Sequence, residues 1–213
     1  MDYFKKNNFS SNQILISIFV IWLFGLIIFS QLFFCLSGLN SCLNFSLLAN
    51  WDGQHFLQIA KNGYLYPYQF AFFPLYPSII SFIRSIIPLP LWIIGVGINI
   101  WCAVGSFLFL AKIIQRQKSV NFIEIALLIL SFPVSFFFIT VYSEALFLFL
   151  SIAAIYYYQR NKTGMAILFL TALTLTRMAG VALVMAIIID RYFDKKRWQL
   201  FLIPFLGVGG FAL

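Results

Sequence analysis

Long apolar runs alternate with short polar segments along this chain. Residues 13–36, QILISIFVIWLFGLIIFSQLFFCL, carry no charge, and neither do residues 91–111, LWIIGVGINIWCAVGSFLFLA. A helix of about 20 apolar residues is long enough to cross the roughly 30 Å hydrocarbon layer of a bilayer. Both runs are therefore predicted to be transmembrane helices, and the first is too long for the core of a cleaved leader.

Basic residues fall between the apolar runs and indicate how the chain crosses the membrane. Eleven of the 14 Lys and Arg form four clusters: Lys5 and Lys6; Lys112, Arg116 and Lys118; Arg160 and Lys162; Arg191, Lys195, Lys196 and Arg197. Short basic segments next to spans stay cytoplasmic. The pattern predicts a cytoplasmic N-terminus, a first outer loop over residues 37–77 and a cytoplasmic loop at 112–118.

Two segments between basic clusters must leave the cytoplasmic side and return to it. Residues 119–158 are long enough for two spans. Residues 163–190 are shorter, and we expect a pair of short helices that turn near Arg177, with a single span as the alternative. Residues 78–87, SIISFIRSII, precede two prolines and are predicted to form a short interfacial helix.

Composition supports the same class of protein. The chain is 62% hydrophobic and 9% charged, which is typical of a polytopic membrane protein and excludes a soluble domain. The net charge of +8 is explained by the cytoplasmic clusters, so no nucleic-acid partner is predicted. We expect an all-α transmembrane bundle with one domain over residues 1–213. That domain ends inside an apolar run and is predicted to be truncated at its C-terminus.

Six ionisable residues do not fit the cytoplasmic pattern and map to the outer half of the bundle: Asp52, His55, Lys61, Arg84, Glu144 and Arg177. An ionised side chain at membrane depth costs roughly 2.5–3.5 kcal/mol on insertion scales, so such groups usually face a cavity and often mark function. The sequence therefore predicts a polar site at one face of an apolar bundle.

The predicted site begins in the segment NWDGQHFLQIAKNG, residues 50–63. Asn50 is expected to cap a helix that carries Asp52 in its first turn and stops at Gly63. Asp52 and His55 share one stripe of that helix. The simpler alternative is that Asp52 only stabilises the helix end and His55 hydrogen-bonds to it.

Other residues of the predicted site also have simpler roles open to them. Arg84 either meets a lipid phosphate or only extends its charge to the membrane surface. Glu144 sits in the first turn of a helix that Ser143 is able to cap. Arg177 has apolar neighbours and needs an anionic partner, for which Glu144, Asp52 and a bound phosphate are the candidates.

Three blocks together resemble the PIG-V family: WDGQHFLQIAKNGY with AFFPLYP, PxSxFxxxxYSEALF at 133–147, and TRxxG at 176–180. The resemblance spans residues 51 to about 185. That family contains the second mannosyltransferase of glycosylphosphatidylinositol (GPI) anchor synthesis. Its members are GT-C membrane glycosyltransferases about twice as long as this chain. The resemblance therefore implies an active site in the first outer loop and an absent C-terminal half.

The resemblance implies one inverting displacement in which mannose passes from a polyprenyl-phosphate sugar to a lipid or glycan acceptor. By its place in the motif, Asp52 would be the base that deprotonates the acceptor. Arg177, with Lys61 or Arg84, would bind the donor phosphate. The remaining site predictions are supporting roles for His55 and Glu144 and substrate contacts from Trp51, Tyr64 and Tyr142.

The resemblance has two departures and leaves alternatives open. Pro67 stands where relatives often have Glu, and Ala179 where they often have Asn, which bears on the acceptor. No cofactor is implied, and a metal site of Asp52, His55 and Glu144 is a less favoured possibility. A transporter or a non-catalytic assembly subunit are the alternative functions. A bacterial plasma membrane is favoured as the location, with the endoplasmic reticulum membrane if the protein is eukaryotic.

Overall fold

The structure, a computed structural model, describes residues 17, 20–22, 25, 28, 48–115, 121–193, 198–206 and 209. All regular elements in this part of the chain are helical, as the sequence predicts. The α-helices are α1 (Asp52–Asn62), α2 (Leu75–Ile86), α3 (Leu91–Ile114), α4 (Phe122–Ser131), α5 (Glu144–Gln159), α6 (Thr163–Thr174) and α7 (Gly180–Phe193). Short 3-10 helices cover Pro67–Ala71, Pro133–Phe138 and Trp198–Leu202.

Helix α3 is the described helix that is long and apolar enough to cross a bilayer. Its 24 residues give a length of about 36 Å, so the helix predicted from residue 91 is confirmed and is long enough for a span. The apolar helices α2, α4, α5 and α6 are shorter. Residues 119–158 do form two helical legs, but neither α4 nor α5 reaches the length of α3.

The segment 163–190 confirms the predicted pair of short helices. Helix α6 ends at Thr174, and α7 starts at Gly180. The two meet closely, because a Cβ at Gly180 would lie 2.9 Å from the carbonyl oxygen of Leu173. Arg177 therefore lies in the turn between two packed helices.

The helices place charged residues at two ends of the bundle. At the end of α3, the Nζ atom of Lys112 lies 6.0 Å from the ring of Tyr156 in the last turns of α5. Arg191 near the end of α7 donates to Asn161, which precedes α6. We call this the basic end. The first residues of α3 and α5 and the turn before α7 lie at the opposite end.

Helix α5 packs extensively against both α3 and α6 and forms the centre of the described bundle. Its inward face is made of small and aliphatic side chains, including Ala145, Leu146, Leu150 and Ala154. Two hydrogen bonds between distant backbone groups tie segments at the end of the bundle away from the basic end. Val141 N donates to Leu48 O at 2.8 Å, and Leu75 N to Leu175 O at 3.1 Å.

The start of α1 differs from its prediction. The residue before the helix is Trp51, with φ 52°, and it makes no side-chain cap. Asn50 instead accepts a bond from Gln54 Nε2 at 3.3 Å. Gly53 N donates to the backbone carbonyl of Asn50 at 3.1 Å, but the Asn50 side chain accepts from no helical N–H group, so the expected Asn50 cap is wrong. The predicted stop at Gly63, with φ 75°, is confirmed.

Helix α2 begins three residues before its predicted start. Pro77 lies in its first turn, where the N–H that proline lacks would have no helical partner. Most of the predicted first span, 13–36, lies outside the described residues, although residues 17, 20–22, 25 and 28 are helical. Residues 37–47 of the predicted outer loop also lie outside them.

Candidate functional site

A cleft of about 330 Å³ opens at the end of the bundle opposite the basic end. We call it the Asp52 cleft. It is lined by residues of all three sequence blocks: Asp52, Phe56, Ala71, Phe72, Phe73, Tyr142, Ser143, Glu144, Thr176, Arg177, Met178 and Ala179. Asp52 and Arg177, which are 125 positions apart along the chain, thus lie on one surface.

Asp52 enters the cleft from the first turn of α1 and is exposed. Its carboxylate makes no hydrogen bond or ion pair with another described side chain. Helix α1 approaches the 139–143 turn closely, since a Cβ at Gly53 would lie 3.0 Å from Val141 O. Burial raises the pKa of Tyr142 above its usual value, and the nearby negative charge of Asp52 raises it further. Asp52 and Tyr142 therefore share one electrostatic environment.

Glu144 and Arg177 form an ion pair through Oε1 and Nη1. The pair joins the start of α5 to the turn between α6 and α7, and it answers the question of which anion accompanies Arg177. Both side chains remain partly exposed. The second carboxylate oxygen, Glu144 Oε2, is buried and has no hydrogen-bond partner among the described residues.

Asn99 is a residue of the site that sequence reasoning missed. It lies within α3, is fully buried, and donates from Nδ2 to the carbonyls of Thr140 and Tyr142. The bond to Tyr142 O is 2.8 Å long. These bonds fix the turn that presents Tyr142 and Glu144 to the cleft. A lone amide within the apolar run 91–111 was the signal that would have identified it.

His55 does not hydrogen-bond to Asp52, so the bond that the simpler alternative required is absent. Its ring packs against Tyr68 and Phe72, with centroid distances of 5.6 and 5.0 Å. The imidazole lies one turn along α1 and faces the aromatic segment. Tyr64 also supports this segment by donating to Phe72 O at 2.6 Å. Burial raises the pKa of Tyr64 to about 12, which keeps this donor protonated.

Besides His55 and Tyr64, three further predicted site residues lie outside the lining of the Asp52 cleft: Trp51, Lys61 and Arg84. Trp51 directly precedes Asp52 in the sequence, and its side chain is 78% exposed. Lys61 and Arg84 come together, but they line a different cleft beside the start of α3. The structure therefore separates these two cations from Arg177.

The described side chains contain no group of three His, Cys, Asp or Glu residues arranged to hold a metal ion. His55 faces aromatic rings, and Glu144 is paired with Arg177. The metal site considered from Asp52, His55 and Glu144 thus has no support in their geometry.

The sequence matches the family described as "Mannosyltransferase (PIG-V)" over residues 28–200. The chain belongs to the PIG-V family. All three blocks on which the resemblance was based fall within the matched range, so that prediction is confirmed. Together with α3, the family assignment supports a helical protein of the membrane.

Individual PIG-V family relatives come from animals. GPI mannosyltransferase 2 of Drosophila pseudoobscura pseudoobscura is 37% identical over 121 residues, which cover 49% of this chain and 25% of the relative. GPI mannosyltransferase 2 of Drosophila melanogaster is 32% identical over 133 residues, 55% and 27% of the two chains. Human GPI alpha-1,6-mannosyltransferase 2 is 30% identical over 146 residues, 63% and 29%.

The chain thus spans about a quarter of the length of these PIG-V relatives. No solved structure matches it. The animal sources of the relatives give no support to the preference for a bacterial membrane.

Proposed function

We propose that this PIG-V chain forms part of a membrane mannosyltransferase. It transfers mannose from a polyprenyl-phosphate sugar to a lipid-linked or glycan acceptor. The observation that carries this proposal is the convergence of the three blocks on the Asp52 cleft. The names of the relatives support mannose as the sugar and a GPI-type glycolipid as the acceptor class.

Asp52 is the proposed catalytic base. Its exposed carboxylate has no competing cation among the described residues and faces the space where an acceptor would lie. It accepts the proton of an acceptor hydroxyl as that oxygen bonds to the anomeric carbon. The bond from this carbon to the phosphate oxygen breaks at the same time, and the polyprenyl phosphate leaves with the electron pair. One displacement inverts the anomeric centre.

Arg177 is the proposed partner of the leaving phosphate. One Nη1 hydrogen is used by Glu144, and the guanidinium has further N–H donors for phosphate oxygens. Charge stabilisation of this kind replaces a general acid, because a phosphate leaves as an anion. Glu144 orients Arg177 through the ion pair.

Aromatic side chains supply the remaining proposed contacts. Tyr142 lines the cleft, and the exposed Trp51 stands at its margin for the substrate to pack against. His55 and Tyr64 act through Phe72, which both contact and which lines the cleft. They are positioning residues for the aromatic wall.

The proposed reaction takes place on the outer or lumenal face. The described Lys and Arg of the basic clusters lie at the end opposite the cleft, and basic segments stay cytoplasmic. The lumen of the endoplasmic reticulum is the corresponding compartment in a eukaryotic cell. Charged side chains at the two ends also favour a transferase over a transporter, which would need them along a path.

The test measures transfer of radiolabelled mannose from polyprenyl-phosphate mannose into a lipid extract, in membranes that carry the full-length protein. Asp52→Asn is expected to reduce transfer by about 10²- to 10⁴-fold, the range for loss of a general base. Glu124→Gln removes an exposed carboxylate at the start of α4, far from the cleft, and serves as the matched control.

Transfer that fails in Asp52→Asn and persists in Glu124→Gln, at equal protein abundance, supports the base. Equal transfer by Asp52→Asn and the parent rejects it. A reference transferase assayed in the same extract shows that the donor is usable. If it transfers mannose and neither the parent nor any variant does, the proposed activity is rejected in favour of a non-catalytic role.

A further inference from the structure

The outward surface of α2 combines a polar and an apolar stripe. Ser81, Arg84 and Ser85 follow helical spacing on one side and are exposed. Phe82 and Ile86, on the neighbouring stripe, are 66% and 64% exposed. Helices that lie in a membrane interface have this division between charged and apolar faces.

The polar stripe forms one wall of a second cleft, of about 470 Å³. We call it the Lys61 cleft. Parts of three helices meet there, and its lining is Ala60, Lys61, Ser81, Arg84, Ser85, Pro90 and Leu91. It shares no residue with the Asp52 cleft. A group bound in one is therefore held by different side chains from a group bound in the other.

The electrostatics of the Lys61 cleft favour an anion. Among the described residues, the one ion pair joins Glu144 and Arg177. Neither Lys61 nor Arg84 therefore has a carboxylate within ion-pair distance. Arg84 Nη1 donates to Leu89 O at 2.9 Å, which holds the guanidinium over the cleft with other N–H donors unused. The start of α3, at Pro90 and Leu91, adds the positive end of a long helix dipole.

Exposed apolar side chains border the same cleft. Besides Phe82 and Ile86, the adjoining residues Ile87 and Leu89 are 47% and 43% exposed. Cations placed beside such a surface sit at the level of lipid headgroups, where each basic residue contributes to binding of anionic lipid. The acyl chains of a lipid can pack against the apolar border, whereas a free phosphate ion would make no contact with it.

We propose that the Lys61 cleft binds the phosphodiester group of an anionic membrane phospholipid. Lys61 and Arg84 contact the phosphate oxygens, and Ser81 donates to them from its hydroxyl group, whereas the hydroxyl of Ser85 donates to Phe82 O at 2.7 Å. The acyl chains extend along Phe82 and Ile86. This site is separate from the donor phosphate assigned to Arg177, and it does not depend on transferase activity.

Native mass spectrometry of the purified full-length protein tests the proposal. Phosphatidylglycerol and phosphatidylcholine with the same acyl chains are titrated separately, and the dissociation constant of the first bound lipid is measured. Lys61→Gln and Arg84→Gln should each weaken phosphatidylglycerol binding about fivefold and leave phosphatidylcholine binding unchanged. Arg84→Lys keeps the charge and should retain most of the binding. Arg160→Gln removes an exposed arginine at the basic end and should have no effect.

Selective loss in the two glutamine variants, at unchanged thermal stability, supports the site. Equal weakening by Arg160→Gln, or equal affinity for the two lipids, overturns it in favour of general surface electrostatics. Displacement of phosphatidylglycerol by inorganic phosphate at equimolar concentration overturns the lipid as the occupant. Because no step requires sugar transfer, failure here leaves the result of the Asp52→Asn experiment intact.

Discussion

Asp52 and Glu144 present two carboxylates to one cleft, but their neighbours differ. Glu144 is tied to Arg177, whereas Asp52 has no cationic partner in the described structure. The Glu144 carboxylate is thus already engaged, whereas that of Asp52 is available to a ligand. This difference matches the proposed tasks, proton removal by Asp52 and orientation of Arg177 by Glu144.

The Glu144–Arg177 pair allows charge and packing to be separated. Arg177→Gln should lower mannose transfer by about 10²- to 10³-fold, as loss of a charge-stabilising donor does. Glu144→Gln should raise the KM for the donor more than it lowers kcat. Since both side chains are partly exposed, each change should cost only about 0.2–1 kcal/mol of stability. Steady-state kinetics and thermal unfolding of the full-length protein measure these effects.

The double variant Glu144→Arg with Arg177→Glu serves as the control. It restores an ion pair, so its stability should approach that of the parent. It also moves the cation away from the 176–179 turn, so transfer should stay low. Recovery of transfer in the double variant would mean that the pair is only structural.

At the scale of elements, the cleft depends on how turns are held against helices. The 139–143 turn has one strong attachment within α3, the amide of Asn99. Asn99→Leu leaves the Tyr142 carbonyl without a donor, whereas Thr140 O keeps the bond from Tyr142 N at 2.8 Å. The loss should cost about 1–3 kcal/mol. Transfer should fall as well, because the turn carries Tyr142 and Glu144. Thermal unfolding and transfer assays measure both.

Ser106→Ala is the matched control for Asn99→Leu. Ser106 is also buried on α3, but its hydroxyl donates to Cys102 O within the same helix. Its removal should cost less than Asn99→Leu and leave transfer unchanged. Equal effects of the two variants would contradict a special role for Asn99.

The close approach of α6 and α7 makes a second prediction at this scale. Gly180→Ala places a Cβ against the backbone of Leu173, so the turn must open and Arg177 must shift. Stability should fall by about 1–3 kcal/mol, as for overpacked sites. Gly164, in the first turn of α6, has no atom within 4 Å of the corresponding position. Gly164→Ala should therefore be neutral or stabilising by up to about 1 kcal/mol.

Denaturant unfolding of the two alanine variants, with transfer measured in parallel, tests this pair. A Gly180→Ala protein as stable and active as the Gly164→Ala protein would show that the turn tolerates opening.

For the molecule as a whole, the separation of the cleft from the basic end predicts its orientation in the membrane. Asn62→Cys, at the exposed end of α1, and Lys162→Cys, before α6, place single thiols at opposite ends of a full-length protein whose native cysteines are replaced. A membrane-impermeant maleimide applied to intact cells should label position 62 in a bacterial host. Position 162 should react only after permeabilisation. The reverse pattern would place the cleft in the cytoplasm.

Much of the described architecture could be predicted from the sequence because apolar runs and prolines act locally. The span from residue 91 and the turn near Arg177 depend on hydrophobic length and on the spacing of basic clusters. The charge of Arg177 in apolar surroundings also predicted an anionic partner, with Glu144 as one of three candidates. These features need no knowledge of how distant segments pack.

Other features depend on packing and could not be predicted in this way. The left-handed φ of Trp51 removed the Asn50 cap, and the aromatic segment drew His55 away from Asp52. The spatial separation of Lys61 and Arg84 from Arg177 follows from the placement of α2 beside the start of α3. The sequence shows which residues are charged, but not which of them lie together in the folded protein.

The Glu144–Arg177 pair also has a consequence for synthesis of the chain. The two residues are 33 positions apart, so at about 5–20 residues per second a ribosome delivers the arginine about 2–7 s after the glutamate. Until then the Glu144 carboxylate, in the first turn of α5, lacks its cationic partner. Ribosomal pausing between the two codons lengthens this interval, and arrival of the α6–α7 hairpin ends it.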